Sequence, residues 1–305
     1  MDRLEAMRIF LATVETGSLS AAGRQLAIPL PTVSRKLSEL EAHLNAQLMT
    51  RSTRKLLLTD AGAAYLTACR NILEQVGEAE RAAAGEYGAP KGELVIAAPI
   101  VFGRLHVLPV LIAFLAAFPE IDARLRLSDR NADLIDDHID LAVRIGELPD
   151  SSATASRVGE VRRITCASPT YLASHGVPKS PRDLQAHHCV TFDGLGSSTS
   201  WHFVRKGTRR PELVAVAPRL TVTTAEAAVD AAIAGVGFTQ LLSYQISDHI
   251  IAGRLKRVLE DFAPPPVPVS LIHLGRERVA TKIRAFADFA APRLRRRLRT
   301  GVSRS

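Results

Sequence analysis

AIPLPTVSRKLSELE, Ala27–Glu41, sets two prolines around a leucine and then runs straight into a basic amphipathic stretch. Pro31 suits a first helical turn, because its φ is preset and it has no amide hydrogen to leave unpaired. The spacing predicts a helix with Val33, Leu37, Leu40 and Leu44 on one side and Thr32, Ser34, Arg35, Lys36 and Ser38 on the other. Upstream, Leu4, Met7, Leu11 and Val14 predict a first helix ending near Gly17, with Ser18 where a cap belongs. Leu19, Ala22 and Leu26 mark a short second helix, and Gln47–Arg51 with Lys55–Leu58 read as two strands around a polar tip, Ser52 to Arg54.

Three helices and a hairpin fit a winged helix-turn-helix, whose last helix enters the major groove while the wing meets the flanking backbone. The charge agrees locally: Arg24 to Lys55 holds six Lys/Arg against two Asp/Glu, enough to displace counterions from phosphates. Arg35 is the best base-reading candidate, since a guanidinium bonds bidentately to O6 and N7 of guanine. Thr32, Ser34 and Lys36 follow it, and Arg51, Thr53, Arg54 and Lys55 would position the wing without reading sequence. A basic helix alone is usually a solvated face, so the order of elements carries the argument.

Thr59 or Asp60 should cap a long helix reaching about Gly85, with a narrow stripe of Leu66, Cys69, Leu73, Val76 and Ala83 that suggests a partner helix and self-association. EYGAPKG, Glu86–Gly92, breaks it. Beyond it strands alternate with helices: GELVIAAP, a helix over Arg104–Phe118, DARLRL, a helix over Asp133–His138, DLAVRI, RRITCAS, HHCVTF, a helix over Ala225–Ala234, Phe238–Leu241, and a stiff PPPVPVSLIHL before a closing helix from about Ala280. That alternation implies an α/β domain with a mostly parallel sheet.

At 305 residues, with 47% hydrophobic and 23% charged content, the chain reads as a folded protein of more than one unit. The mixed charges of MDRLEAMRIF lack secretory order, and the apolar run Val107–Phe118 is short for a membrane span, so a cytoplasmic place is expected. Cys69, Cys166 and Cys189 are scattered and suit reduced thiols. The last thirty residues carry ten Lys/Arg against two Asp/Glu, the whole net charge of +8, while the rest balances at 29 against 29. RLRRRLRTGVSRS therefore reads as a solvated, fraying terminus or an auxiliary phosphate contact. His187, His188 and Cys189 are strand neighbours facing opposite ways and make no metal site. With no P-loop, nucleophile elbow or dinucleotide fingerprint, neither an enzyme nor a cofactor is expected.

In an open α/β sheet, ligands collect outside the carboxyl ends of strands. Two corners qualify: Pro99, Ile100, Val101, Phe102 and Gly103 after GELVIAA, and Thr223 with Thr224 after RLTV. Thr223 equally suits a capping box with Glu226. Arg144, with Gly146 beyond it, suits an effector carboxylate or a surface salt bridge, and Phe192 a flat apolar wall or the core.

MRIFLATVETGSLSAAGRQL and PTVSRKLSELEAHLNAQLMTRSTRKLLLTDAG resemble the DNA-binding half of the LysR-type transcriptional regulators. GELVIAAPIVFGRLHVLPVLIAFLAAFPEI, LRLSDRNADLIDDHIDLAVRIGELPDSS, VRRITCASPTYLASHG and TAEAAVDAAIAGVGFTQL resemble that family's effector-binding half. The resemblance implies an α+β multidomain protein: a winged helix-turn-helix over 1–58, a linker helix and hinge over 59–91, and a periplasmic-binding-protein-like domain over 92–297. Its subdomain I would take 92–161 and 266–297, its subdomain II 162–265, leaving a disordered basic tail over 298–305. It also implies a homodimer or homotetramer paired through the linker helix, interrupted palindromes near promoters, RNA polymerase as a partner and a small-molecule effector. By position the DNA contacts fall on Ser18, Pro31, Thr32, Ser34, Arg35 and the wing from Arg51 to Lys55, and the effector contacts on Ile100, Phe102, Thr223 and Phe238. Where the family very often has Ser-Gln, this chain has Pro29-Leu30, losing a polar cap and an amide able to read adenine. The rival is a solute-binding or enzymatic α/β domain whose N-terminal helices only mediate assembly.

Overall fold

The computed structural model describes residues 1–51, 56–83, 89–130, 133–135, 137–148, 153–192, 199–208, 210–275 and 279–302. The chain divides into two units, Met1–Ala89 and Pro90–Ser305. The first holds helices α1 (Arg3–Thr16), α2 (Leu19–Leu26) and α3 (Leu30–Leu44), an antiparallel pair β1 (Met49–Arg51) and β2 (Leu56–Leu58), and α4 (Asp60–Ala83). Asp2 accepts the Leu4 and Glu5 amides at the start of α1, and Gly17, at φ 68, ends it in the left-handed region that glycine adopts without cost. Ile9, Phe10, Val33, Leu37, Leu40 and Leu48 are fully enclosed where the three helices meet.

Thr59 fixes the start of α4: its Oγ donates to the Gln47 carbonyl (2.7 Å) and accepts the Gly62 amide (3.0 Å). A Cβ on Gly62 would lie 1.9 Å from the Leu48 carbonyl oxygen, so only glycine lets helix and hairpin close together. The stripe expected to seek a partner helix is partly used at home. Tyr65, Leu66, Cys69 and Leu73 pack on the core of the same unit, with the Tyr65 ring 5.7 Å from Phe10.

The second unit opens with β3 (Gly92–Ala98), α5 (Ile100–Phe102), a π turn over Gly103–Val107, α6 (Leu108–Ala117), β4 (Ile121–Leu127), β5 (Leu141–Ile145) and β6 (Thr154–Val161). The chain then crosses to β7 (Arg163–Ala167), α7 (Pro169–His175), β8 (Cys189–Phe192), β9 (Ser200–Val204), β10 (Pro211–Ala215), β11 (Pro218–Val222), α8 (Ala225–Ile233), β12 (Thr239–Leu242), α9 (Ser243–Ile251) and β13 (Lys256–Val258). It returns through β14 (Val267–His273) and closes with α10 (Thr281–Val302). Two sheets result, β4-β3-β5-β14-β6 and β12-β7-β13, beside the pairs β8-β11 and β9-β10.

The expected mostly parallel sheet is mixed. Among the described strand pairs β3 with β4, β3 with β5, and β8 with β11 run parallel, while β14 returns against both β5 and β6, and β7 opposes both its neighbours. Over Asp133–His138 the described residues form turns instead of a helix: the Asp133 carboxylate takes the Ile135 amide (2.8 Å) and Asp137 takes the Asp133 amide (2.9 Å), which competes with helical bonding. The helix expected from Arg104 begins at Ile100. From there to Ala117 it is apolar enough by composition to cross a membrane, yet Phe102, Val110, Leu111 and Phe114 are buried in the core of this unit.

The charged C-terminal segment is not a loose tail through Leu298. α10 carries Phe286, Ala290, Leu294 and Leu298 into the main core, and Leu298 packs where a Cβ on Gly159 would sit. Its arginines are engaged. Arg295 reaches the Arg157 carbonyl (3.2 Å) and Arg297 the Leu105 carbonyl (2.9 Å), an oxygen that Pro109, lacking an N–H, cannot satisfy from the next turn. Ser303 to Ser305 lie outside the described residues.

The π turn places His106 against Phe102 and Tyr244, ring centroids 4.7 and 5.8 Å apart, with neither ring nitrogen hydrogen-bonded among the described residues. Burial, and then the Arg297 charge, hold this imidazole down at about 4. Between the ordinary value of about 6.5 and that level, the unfolded chain binds a proton that the folded chain refuses, so stability falls as pH drops. From about pH 7 to about pH 5 this group should remove about 2 kcal/mol. Urea midpoints of His106→Gln should lose that component of the slope, and an unchanged slope would contradict it.

Candidate DNA-reading surface and effector cavity

In the first unit α3 turns Pro31, Arg35 and Ser38 outward, with Thr32 and Ser34 half-exposed. The Arg35 guanidinium folds back on Glu39 (2.8 Å), one turn along the helix, with both side chains exposed. Such a pair is worth at most about 1 kcal/mol, so the guanidinium can be handed to a base edge at small cost. Lys36 behaves otherwise: it is largely buried and paired with Glu5 of α1, so it joins two helices and does not face outward. Ser18 takes the Ala21 amide (3.4 Å) as the cap of α2. Pro29 occupies the cap position of α3 with no side-chain bond, which leaves about 0.5–2 kcal/mol of capping unrealised, and Leu30 stands 45% exposed beside it.

Of the wing residues, Thr53, Arg54, Lys55 and the Arg51 side chain lie outside the described residues. One residue the sequence reading leaves out is Glu41. Its carboxylate accepts the Leu48 (2.8 Å) and Met49 (3.2 Å) amides, tying the hairpin's first strand to α3. An acid one turn before a helix end, followed by a strand, is the signal that points to it.

In the second unit Pro99, Ser128, Arg130 and Arg144 converge at the carboxyl ends of β3, β4 and β5 and line a cavity of about 340 Å³ with Arg126 and Asp137. Arg126 donates to the Asp137 carbonyl (2.8 Å). Beside it the Ile100 amide donates to Asp129 (3.1 Å), whose second oxygen has no partner among the described residues; burial pushes that carboxyl up. Arg104 and Glu226 approach to 4.0 Å, linking the π turn to α8.

The remaining candidates divide. Ile100 is half-buried, and Gly146 adopts φ 131 just past β5. The cap of α8 is Thr224, which accepts the Ala227 amide (3.3 Å); Thr223 is exposed and makes no box with Glu226. Val101, Phe102, Phe192 and Phe238 are enclosed in core clusters, and Gly103 packs on Leu127. The Phe238 ring sits edge-on to both Tyr171 and His187 within that core. Cys189 is enclosed in that cluster, and burial pushes its thiol up to about 12. Cys166 rises likewise to about 12 and Cys69 to about 11, which leaves all three as inert thiols.

A helix-turn-helix with a hairpin wing, followed by an α/β unit with a cavity at its strand ends, defines a DNA-binding protein that answers to a small molecule. Two family models match in that order: the bacterial regulatory helix-turn-helix of the lysR family over residues 4–63, and the LysR substrate binding domain over 88–295. An HTH-type transcriptional regulator of Xanthomonas campestris is 34% identical over 94% of this chain and 84% of its own length. The solved structure of CrgA, a LysR-type regulator from Neisseria meningitidis, matches at TM-score 0.60 and 30% identity over 95% of this chain and 98% of its own. The Vibrio cholerae virulence activator AphB matches at TM-score 0.60 and 28% identity over 94% and 98%. The chain belongs to the LysR family of transcriptional regulators. It is a sequence-specific DNA-binding regulator responsive to a small-molecule effector, and not an enzyme.

Proposed function

We propose that the chain acts in the cytoplasm as a homodimer or homotetramer that sets two α3 helices on an interrupted palindrome and controls access of RNA polymerase to a promoter. The observation that carries this is the outward face of α3, where Arg35 is the strongest base-reading group in a segment with six cations against two acids. Pro31, Thr32 and Ser34 share the groove, and Arg51, Thr53, Arg54 and Lys55 take the flanking phosphates. Self-association is supported by the outer length of α4 and by Leu108 and Ile112, one turn apart on α6 and 38% and 59% exposed. The purified chain should retard fragments of its own upstream region and protect two half-sites one or more helical turns apart. Retention of every fragment alike, or of none, would overturn the operator reading.

The effector is a small carboxylate. Arg126, Arg130 and Arg144 put three guanidinium groups around one cavity, whose volume of about 340 Å³ sits at the lower end of ligand pockets. Arg144→Gln should raise the concentration of acid needed to change the DNA complex by about tenfold or more. The response curve of the retarded band measures it, and an unshifted curve would remove Arg144 from the site.

A further inference from the structure

A second cavity of the same unit, about 360 Å³, shares no residue with the first. It lies where the chain crosses between the two sheets: Arg162 and Arg163 belong to the outward crossing, and Pro264 stands on the returning one. Three arginines line it, Arg162 exposed and Arg163 and Arg257 half-buried, with one acid, Glu260, among the described lining residues. That acid is 70% exposed and 4.0 Å from Arg257, so it neutralises little. The Arg257 Nε is buried without a hydrogen-bond partner among the described residues, and burial weakens the hold of Arg163 on its proton. A half-buried guanidinium with an open donor, Arg257, beside two further arginines suits an anion. The accessible apolar wall is Ile164 and Ala263, with Phe203 and Val258 enclosed in the neighbouring core, while Thr165 and Ser243 contribute hydroxyls.

We propose that this cavity is a second ligand site, taking a small organic acid whose carboxylate lies among Arg162, Arg163 and Arg257 and whose apolar body rests on Ile164 and Ala263. An inorganic anion would leave those apolar walls uncovered, which favours an acid with a carbon skeleton. An occupant touches both crossings, so the two sheets share it as a common contact.

The single tryptophan, Trp201, lies two residues before Phe203 on β9 and provides the probe. The full chain is titrated with benzoate, butyrate and succinate, and with benzamide as a neutral counterpart, while its tryptophan fluorescence is followed. At least one acid should give a saturable change that benzamide does not. Arg257→Gln should weaken it about tenfold or more, and Arg144→Gln should leave it in place. Arg162→Gln, at an exposed crossing position, repeats the test should the Arg257 variant fold poorly. The site is refuted if no acid saturates, if benzamide acts equally, or if the change survives both second-cavity variants or disappears with Arg144→Gln.

Discussion

Lys282→Met should lower the free energy of unfolding by about 3–5 kcal/mol, the largest single effect expected outside the glycine contacts. The Lys282 side chain is 4% exposed, at the start of α10, 3.6 Å from the Asp140 carboxylate and donating to the Glu93 carbonyl. Asp140 also accepts the Val95 amide (2.8 Å), so one buried charge pair fastens the closing helix to the strand ends of the main sheet. Burial pushes the Asp140 carboxyl up, and Lys282 is the chief influence pulling it back down. Methionine fills the space but leaves the carboxylate alone. A carboxyl whose folded value lies above its unfolded one costs stability as pH rises, so the deficit should be greatest at neutral pH and shrink toward about pH 5. Urea unfolding across that range measures it, and Lys282→Met with Asp140→Asn should recover part of the loss. A deficit independent of pH would point to packing instead of charge.

Arg35→Ala should weaken operator binding by about 1–3 kcal/mol for each half-site, and by about twice that where two heads are engaged. It should also relax base preference at one position in each half-site. The folded chain should be nearly as stable as before, because the Glu39 pair is exposed and worth little. Fluorescence anisotropy on a matched operator and on a randomised duplex separates the two effects. An equal loss on both would make Arg35 a phosphate contact, and no loss would remove α3 from the groove.

The winged unit was largely legible in the sequence because its information is local. The cap at Ser18, the stop at Gly17 and a clean apolar period in α3 all lie within a few residues of what they control. What escaped was decided at a distance. Lys36 sits on the polar side of its own helix, yet its acid comes from α1, thirty-one residues earlier. In α10 the charge of RLRRRLRT masks an apolar series, Phe286, Ala290, Leu294 and Leu298, whose partners are strands and helix α6 far upstream. β6 is mostly polar along an edge of its sheet, and polar edge strands lack the alternation that announces a strand. For the cavity of the second unit the strand ends were readable, but which of their side chains turn inward was not. Phe102 and Phe238 went to the core, while Arg126 and Arg130 came to the cavity.

The Glu41 carboxylate, holding two amides of the hairpin from within α3, makes one piece of that helix and the start of the hairpin. Each head is then a caliper with a set jaw. In the proposed oligomer, α3 cannot advance without carrying the start of the hairpin along. Any change in operator length that an effector brings about must therefore be made outside this jaw, between heads, and should appear in footprints as altered spacing of two half-sites whose individual widths stay constant.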